Sequence, residues 1–288
     1  MPHNIPVAPV THDDIMAEAR RVVETALAED VGRGDVTSNA VIPADAHFEG
    51  IMRAREDMVV AGLMCAEIAF HTLDPACTWT ARLQDGDRAK PGEEIARVSG
   101  NARALLTAER TALNILQHLS GIATLTRHYV DAIDGTGARV KDTRKTVPGL
   151  RVLAKYASRM GGAVNHRMRL DDAILIKDNH IAVAGGVAAA VVAAKSAALP
   201  VQVECDTLEE LRAALDAGAD SVLLDNMAPD TLREAVAIVG GRVETEASGG
   251  VRLETIRAIA ESGVTYVSVG RITQSAPAID IGLDWDSL

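Results

Sequence analysis

From Gly137 onward the chain alternates between short apolar runs and amphipathic stretches, and this alternation constrains the fold more than any other feature. The runs are ARVK (138–141), AILIKD (173–178), VQVECD (201–206), SVLLDN (221–226), RVETEA (242–247) and YVSVG (266–270). The spacing between them predicts helices at about 149–161, 182–197, 207–217, 229–239 and 252–261. Short runs rich in β-branched residues, each followed by a helix, read as a parallel sheet with right-handed crossovers. Their regular spacing favours a β/α barrel over a doubly wound sheet. Six strands are legible rather than eight. Either the barrel is incomplete or a strand is hidden, with Val164 as the place to look.

The first hundred residues follow another pattern. Residues 1–14 are Pro-rich and polar and read as a loose lead-in. Ile15, Met16, Ala19, Val22, Val23, Ala26 and Leu27 repeat with helical period, and the helix is expected to end near Glu29. EDVGRGDVTS (29–38) reads as a loop in which Arg33 and Asp35 belong to a self-bonded turn. HFEGIMRARE, DMVVAG, CTWTARL and EEIARVS read as strands, and GLMCAEIAFHTL as a helix. Together they form a small α+β unit ending near residue 100, with Lys90 on a surface turn. A long helix follows over 102–133, and Gly121 predicts a break or bend in it.

Composition limits what such a chain binds. Aromatic residues are 2% of the total, so Ala, Val, Leu and Ile have to fill the core. The net charge of −11 argues against a nucleic-acid or anionic-membrane partner. The opening MPHNIPVAPVTHDD lacks a basic region followed by an apolar run, and no run is long enough to span a bilayer. Cys65, Cys77 and Cys205 are widely spaced and odd in number, as expected of small buried residues in a reducing, cytoplasmic setting. Against this acidic background, residues 139–177 hold ten Lys or Arg and three Asp or Glu. That local excess of +7 leaves −18 for the remainder and suggests a place for a small, highly charged anion.

Barrel active sites form at the C-terminal strand ends. Here those positions are Lys141, Lys177, Glu204, Asp225, Glu246 and the Ser268–Gly270 end. Ser248-Gly249-Gly250 and Gly270 follow the last two strands, where barrels often hold phosphate on backbone N–H groups. Glu204 and Asp225, on consecutive strands, suit sugar hydroxyls or Mg²⁺ held through water; a structural network with the lysines is the competing reading. Arg144 and Lys145 directly follow a strand end, and arginine offers a planar fork for carboxylates or phosphates. Arg151, Lys155 and Arg159 read as a solvated helix face, and Arg110 as an exposed helix arginine beside Glu109. His166 alone is ambiguous.

The segments KDTRKTVPGLR, GGAVNHRMRL, ILIKDNHI, VECDT, LLDNM, EASGGV and ERTALNILQHLSGIAT resemble the quinolinate phosphoribosyltransferases, the carboxylating nicotinate-nucleotide pyrophosphorylases. The resemblance runs from EDVGRGDVTS to APAIDIGLD. It implies an N-terminal α/β sandwich domain (1–112, with tail 279–288 returning to it) and an incomplete, seven-stranded α/β barrel (113–278). It also implies a homodimer or dimer-based oligomer in which one subunit's N-terminal domain covers the other's barrel mouth. The implied reaction joins quinolinate to phosphoribosyl pyrophosphate with Mg²⁺, giving nicotinate mononucleotide, pyrophosphate and CO₂ in NAD synthesis. By the same resemblance Arg144, His166, Arg167 and Lys177 bind quinolinate, with Arg110 supplied by the neighbouring subunit. Lys145 and Lys177 lie near the pyrophosphate as catalytic groups. Glu204 and Asp225 hold the ribose hydroxyls and the Mg²⁺ shell, and Ser248, Gly249, Gly250 and Gly270 cradle the 5′-phosphate. One segment departs from the pattern: VGRITQS carries Gln274 where a histidine is common and Arg271 where a small residue is common. A molybdenum-transport-associated paralogue and a non-catalytic dicarboxylate sensor are the alternatives; Lys177 in ILIKDNH favours the enzyme over the paralogue.

Overall fold

The computed structural model describes residues 11–285. In chain order the elements are α1 (His12–Val31), α2 (Val36–Val41), β1 (His47–Ala54), β2 (Met58–Val59), α3 (Leu63–Leu73), β3 (Thr78–Ala81), β4 (Arg88–Ala89), β5 (Glu94–Asn101) and α4 (Ala102–Ala132). Then come β6 (Arg139–Lys141), α5 (Arg151–Met160), β7 (Ile174–Ile176), α6 (Asp178–Ala184), α7 (Val187–Ala194), β8 (Val201–Cys205), α8 (Leu208–Asp216), β9 (Ser221–Asp225) and α9 (Pro229–Val239). The last are β10 (Glu244–Ser248), α10 (Ile256–Ala260), β11 (Tyr266–Ser268), α11 (Arg271–Gln274) and β12 (Ile281–Trp285). These elements divide into two compact units, each discontinuous in sequence.

The first unit takes, among the described residues, 11–127, 146–162 and 272–285. Its antiparallel sheet runs β12–β1–β5–β3, with Ala54 opposite Ile281 and His47 opposite Asn101. Phe48, Met52, Ile95 and Val98 from the sheet join α1, α3 and α4 in one apolar core. Thr11 and Asp14 close a reciprocal cap on α1. The 29–38 segment is only partly loop: Asp35 accepts from Ser38 N–H at 2.9 Å and starts α2. The self-bonded reading of Asp35 therefore holds, but the bonds nucleate a short helix. Asp85 accepts from the Gly62 and Leu63 N–H groups at the start of α3, and Tyr156 Oη donates to it at 2.6 Å.

Two expectations are corrected in this unit. Helix α5 is only in part a solvated basic face: Arg159 is exposed and Arg151 half-buried, but Leu153, Ala154 and Ala157 enter the core and Lys155 is fully buried. The charges at 151, 155 and 159 do share one side, but burial is set by what packs on a helix, which periodicity does not report. Helix α4 runs unbroken through Gly121, and through residue 112 as well. Gly121 is there for clearance, since a Cβ would lie 2.0 Å from the Pro277 carbonyl oxygen. We therefore expect Gly121→Ala to cost about 1–3 kcal/mol through overpacking, measurable by urea unfolding. An unchanged midpoint would mean the 277–278 backbone yields freely.

The second unit takes, among the described residues, 128–145 and 163–271. Six parallel strands run in the order β6–β11–β10–β9–β8–β7. Val164 forms a single parallel bridge with Lys141, so the strand suspected near Val164 exists as one bridged residue. Among the described residues β7 pairs only with β8, which leaves the barrel open on that side. The predicted helix over 182–197 is interrupted at Gly185-Gly186, whose φ values of 87° and 126° lie outside the helical region. Among the described residues no single helix is long and apolar enough to cross a membrane; α6 with 187–197 passes only as a pair bent by 92°.

Strand parity builds the site. Val201, Val203, Cys205, Val222, Leu224, Ala247 and Val267 are buried and supply one face of the sheet. The alternate positions carry the polar groups: Lys141, Gln202, Glu204, Asp225, Glu246, Ser248 and Ser268. In register, Glu204, Leu223 and Glu246 form one row, with Asp225 beside Ser248 in the next. Burial pushes the three thiols up, to about 12 for Cys65 and Cys205 and about 11 for Cys77, as expected of packing residues rather than nucleophiles.

Candidate active site

A cavity of about 370 Å³ opens at the C-terminal strand ends of the second unit. Its basic wall is Arg144, Lys145, His166, Arg167 and Lys177; Thr143, Glu204, Asp225, Glu246, Ser248 and Ser268 complete its polar lining. Gly249 and Gly250 follow the lining Ser248, and Gly270 lies beside Lys145 of the basic wall. A Cβ there would lie 3.0 Å from Lys145 Cδ. Arg110 does not line the cavity; it is exposed on α4, and its charge opposes the rise that burial imposes on Glu109.

Asp142 organises the basic side. It is fully buried, accepting from His166 N–H at 2.8 Å and Asn165 Nδ2 at 2.6 Å, and so ties the NHR segment to the end of β6. Arg167 donates to the Ala173 carbonyl at 2.9 Å. Its Nε and that of Arg144 are buried and have no protein partner. Burial, then the neighbouring charge of Arg144, push Arg167 below its ordinary value, and Asp172 opposes them. Two neighbouring guanidinium groups, each with an unmet buried donor, concentrate positive charge on this side of the cavity, and an unpaired buried donor is costly until something meets it.

His166 is engaged at both nitrogens. Nδ1 accepts the Arg167 N–H at 2.7 Å, which leaves the proton on Nε2, 3.1 Å from Gln202 Oε1. Gln202 Nε2 in turn donates to Glu246 at 3.0 Å. Glu246 is 1% exposed and also receives Lys141 Nζ at 2.8 Å and the Ser268 hydroxyl. Lys141 Nζ lies 3.8 Å from the Tyr266 ring centroid. Burial alone raises the Glu246 carboxyl; the charge of Lys141, that of His166 once protonated, and hydrogen bonds from Lys141 and Ser268 outweigh it and hold it at about 2.

The remaining groups face the same space. Lys177 Nζ meets Glu204 Oε2 at 2.5 Å, and His180 Nδ1 accepts the Lys177 N–H at 3.0 Å, which fixes the start of α6. Asp225 Oδ2 accepts from Asn226 Nδ2 at 2.5 Å. Of the strand-end residues singled out in the sequence, Lys177, Glu204, Asp225, Glu246 and Ser268 meet in the cavity, while Lys141 turns to Glu246 beneath it.

The chain matches two domain descriptions in tandem: "Quinolinate phosphoribosyl transferase, N-terminal domain" over residues 35–120 and the C-terminal domain of the same name over 122–284. It belongs to the quinolinate phosphoribosyltransferase family. Among this family's members, the nicotinate-nucleotide pyrophosphorylase [carboxylating] of Mycobacterium leprae is 45% identical over 92% of this chain and 96% of its own length. The probable enzyme of that name from Bacillus subtilis is 41% identical over 93% of both chains. The solved nicotinate-nucleotide pyrophosphorylase of Francisella tularensis superposes with a TM-score of 0.91 at 41% identity, covering 94% of this chain and 97% of that one.

Sequence reasoning placed Asp142 in the clamp segment with Arg144 and Lys145 but missed Gln202 and Asn226, which hydrogen-bond to residues lining the cavity. Gln202 and Asn226 carried a legible signal, being polar residues inside or directly after apolar strands. Gln202 lies at a position of the same parity as Glu204. What Asp142 binds was not legible, because its partners Asn165 and His166 are more than twenty residues away.

Proposed function

We propose that this chain transfers phosphoribosyl from phosphoribosyl pyrophosphate to quinolinate with decarboxylation, releasing nicotinate mononucleotide, pyrophosphate and CO₂ for NAD synthesis. The observation that carries this reading is that Arg144 and Arg167, neighbouring cations whose buried Nε donors have no partner, line one cavity with Asp225, Glu204 and Ser248. Quinolinate carries two adjacent carboxylates, which suit two adjacent guanidinium groups. Lys177 supplies a further positive charge. His166, with both nitrogens engaged, shapes the pocket and presents Arg167 through the hydrogen bond between them.

The reaction then follows from charge. The quinolinate ring nitrogen bonds to C1 of the ribose as the C1–O bond to pyrophosphate breaks, its electrons leaving with pyrophosphate. Lys145 and Lys177 stabilise that leaving charge. The ring is now a pyridinium, and it accepts the electron pair left at C2 when the C2–carboxylate bond breaks and CO₂ departs. A proton at C2 completes the product. The ring nitrogen carries no proton, so the first step needs no general base, and orientation dominates it. Glu204 and Asp225 hold the ribose hydroxyls. The Ser248-Gly249-Gly250 loop and Gly270 present backbone N–H groups to the 5′-phosphate.

Mg²⁺ is part of the proposal. Among the described residues no group of three or more metal-ligating side chains gathers. Glu204 and Asp225, each with one oxygen already bonded within the protein, fit an ion held through water and shared with substrate phosphates. When bound, the ion adds electrostatic neutralisation of the pyrophosphate. We place the enzyme in the cytoplasm, as a homodimer or dimer-based oligomer in which the exposed Arg110 completes the partner's site.

Incubation with quinolinate, phosphoribosyl pyrophosphate and Mg²⁺ should yield nicotinate mononucleotide and CO₂, with no CO₂ when phosphoribosyl pyrophosphate is omitted. Absence of that nucleotide would overturn the reading. Arg110→Ala and Lys177→Ala proteins, each strongly impaired alone, should regain activity when mixed and allowed to exchange subunits. Verified exchange without activity would refute the shared site.

A further inference from the structure

Asn226 is one of two non-glycine residues with positive φ among the described residues; its φ is 53°. Asparagine tolerates this region better than most residues, but such a conformation persists only where its surroundings hold it. Three contacts do so. The Asn226 N–H donates to the Ser248 carbonyl at 2.9 Å. Its Nδ2 donates to Asp225 Oδ2 at 2.5 Å. Its side chain lies against Gly249, where a Cβ would come 2.2 Å from Oδ1 and 2.5 Å from Cγ. Gly249 itself has φ of 94°, so the two residues are matched in backbone and in volume.

Asp225 and Ser248 are register partners on β9 and β10. Asn226 therefore spans the one place where the candidate sugar-binding carboxylate and the candidate phosphate loop adjoin. We propose that Asn226 is a positioning residue: its backbone fixes the 248–250 loop and its amide holds one Asp225 oxygen, so that the other faces the sugar. The two recognition elements for a phosphorylated ribose then move as one rigid piece. This rests on the function proposed above and adds a residue to it.

Asn226→Gly keeps the backbone conformation and removes the amide. Asn226→Asp keeps the shape and sets a carboxylate against Asp225. Both should fold with midpoints near the parent's. Asn226→Asp should raise KM for phosphoribosyl pyrophosphate by about tenfold or more, Asn226→Gly by less, with KM for quinolinate unchanged. Calorimetry with ribose 5-phosphate should show the same order of weakening, independently of turnover. If neither variant changes ribose 5-phosphate affinity, or if affinity for quinolinate falls equally, Asn226 does not position the site. A parent protein that binds both ligands and makes no product overturns the reaction instead, and the ribose 5-phosphate series still decides the role of Asn226.

Discussion

Lys177→Ala is expected to lower kcat/KM by about 10²–10³-fold, the usual cost of removing one preorganised charge from a developing anion. Lys177 Nζ lies 2.5 Å from Glu204 Oε2, and the two side chains are 45% and 15% exposed. The truncation removes the cation near the leaving pyrophosphate and leaves Glu204 as an uncompensated negative charge facing it. Lys177→Arg should not restore full activity, because a planar fork cannot reproduce a compact ammonium at that distance. Steady-state kinetics check both variants, with unfolding curves to show that the fold is kept. An alanine enzyme within about threefold of the parent would remove Lys177 from the chemistry.

Glu246→Ala is expected to produce the largest loss of stability. It strands the Lys141 ammonium, 14% exposed, and takes an acceptor from Gln202 and Ser268. Removing one partner of a buried pair costs about 3–5 kcal/mol, which urea unfolding would detect. The same carboxylate gives a pH signature. Its folded value of about 2 lies below the ordinary 4.5, so the folded state binds fewer protons than the unfolded. The stabilisation is present above pH 4.5 and is lost as pH falls from 4.5 toward 2. Glu246→Gln should flatten stability against pH in that window. An equal acid slope in both proteins would mean that other carboxylates govern it.

Legibility in the sequence followed the range of the interaction. The six parallel strands could be read within two residues because each is a short apolar run with polar flanks. The seventh segment could only be suspected, since a single bridge at Val164 leaves no periodic pattern. Gly121 was legible as an exception in a helix, but its reason lies about 155 residues away at Pro277. Lys155 read as solvated because local charge spacing says nothing about the neighbour that buries it. Within the site, Lys177, Glu204 and Asp225 were legible from their place at strand ends. The circuit through Gln202, His166 and Glu246 joins residues of the 165–167 segment, β8 and β10, and no local pattern joins them.

The sequence by itself determined the alternating α/β order, the placing of ionisable residues at strand ends and the concentration of positive charge between 139 and 177. These depend on periods of two and 3.6 residues, which are local properties of the backbone. The tertiary structure decided which charges pair and which stay open. It set Lys141 on Glu246, closed both nitrogens of His166, and left the Nε atoms of Arg144 and Arg167 buried without a partner. That division depends on distances between strands far apart in the chain, and on the burial that makes an unmet donor costly.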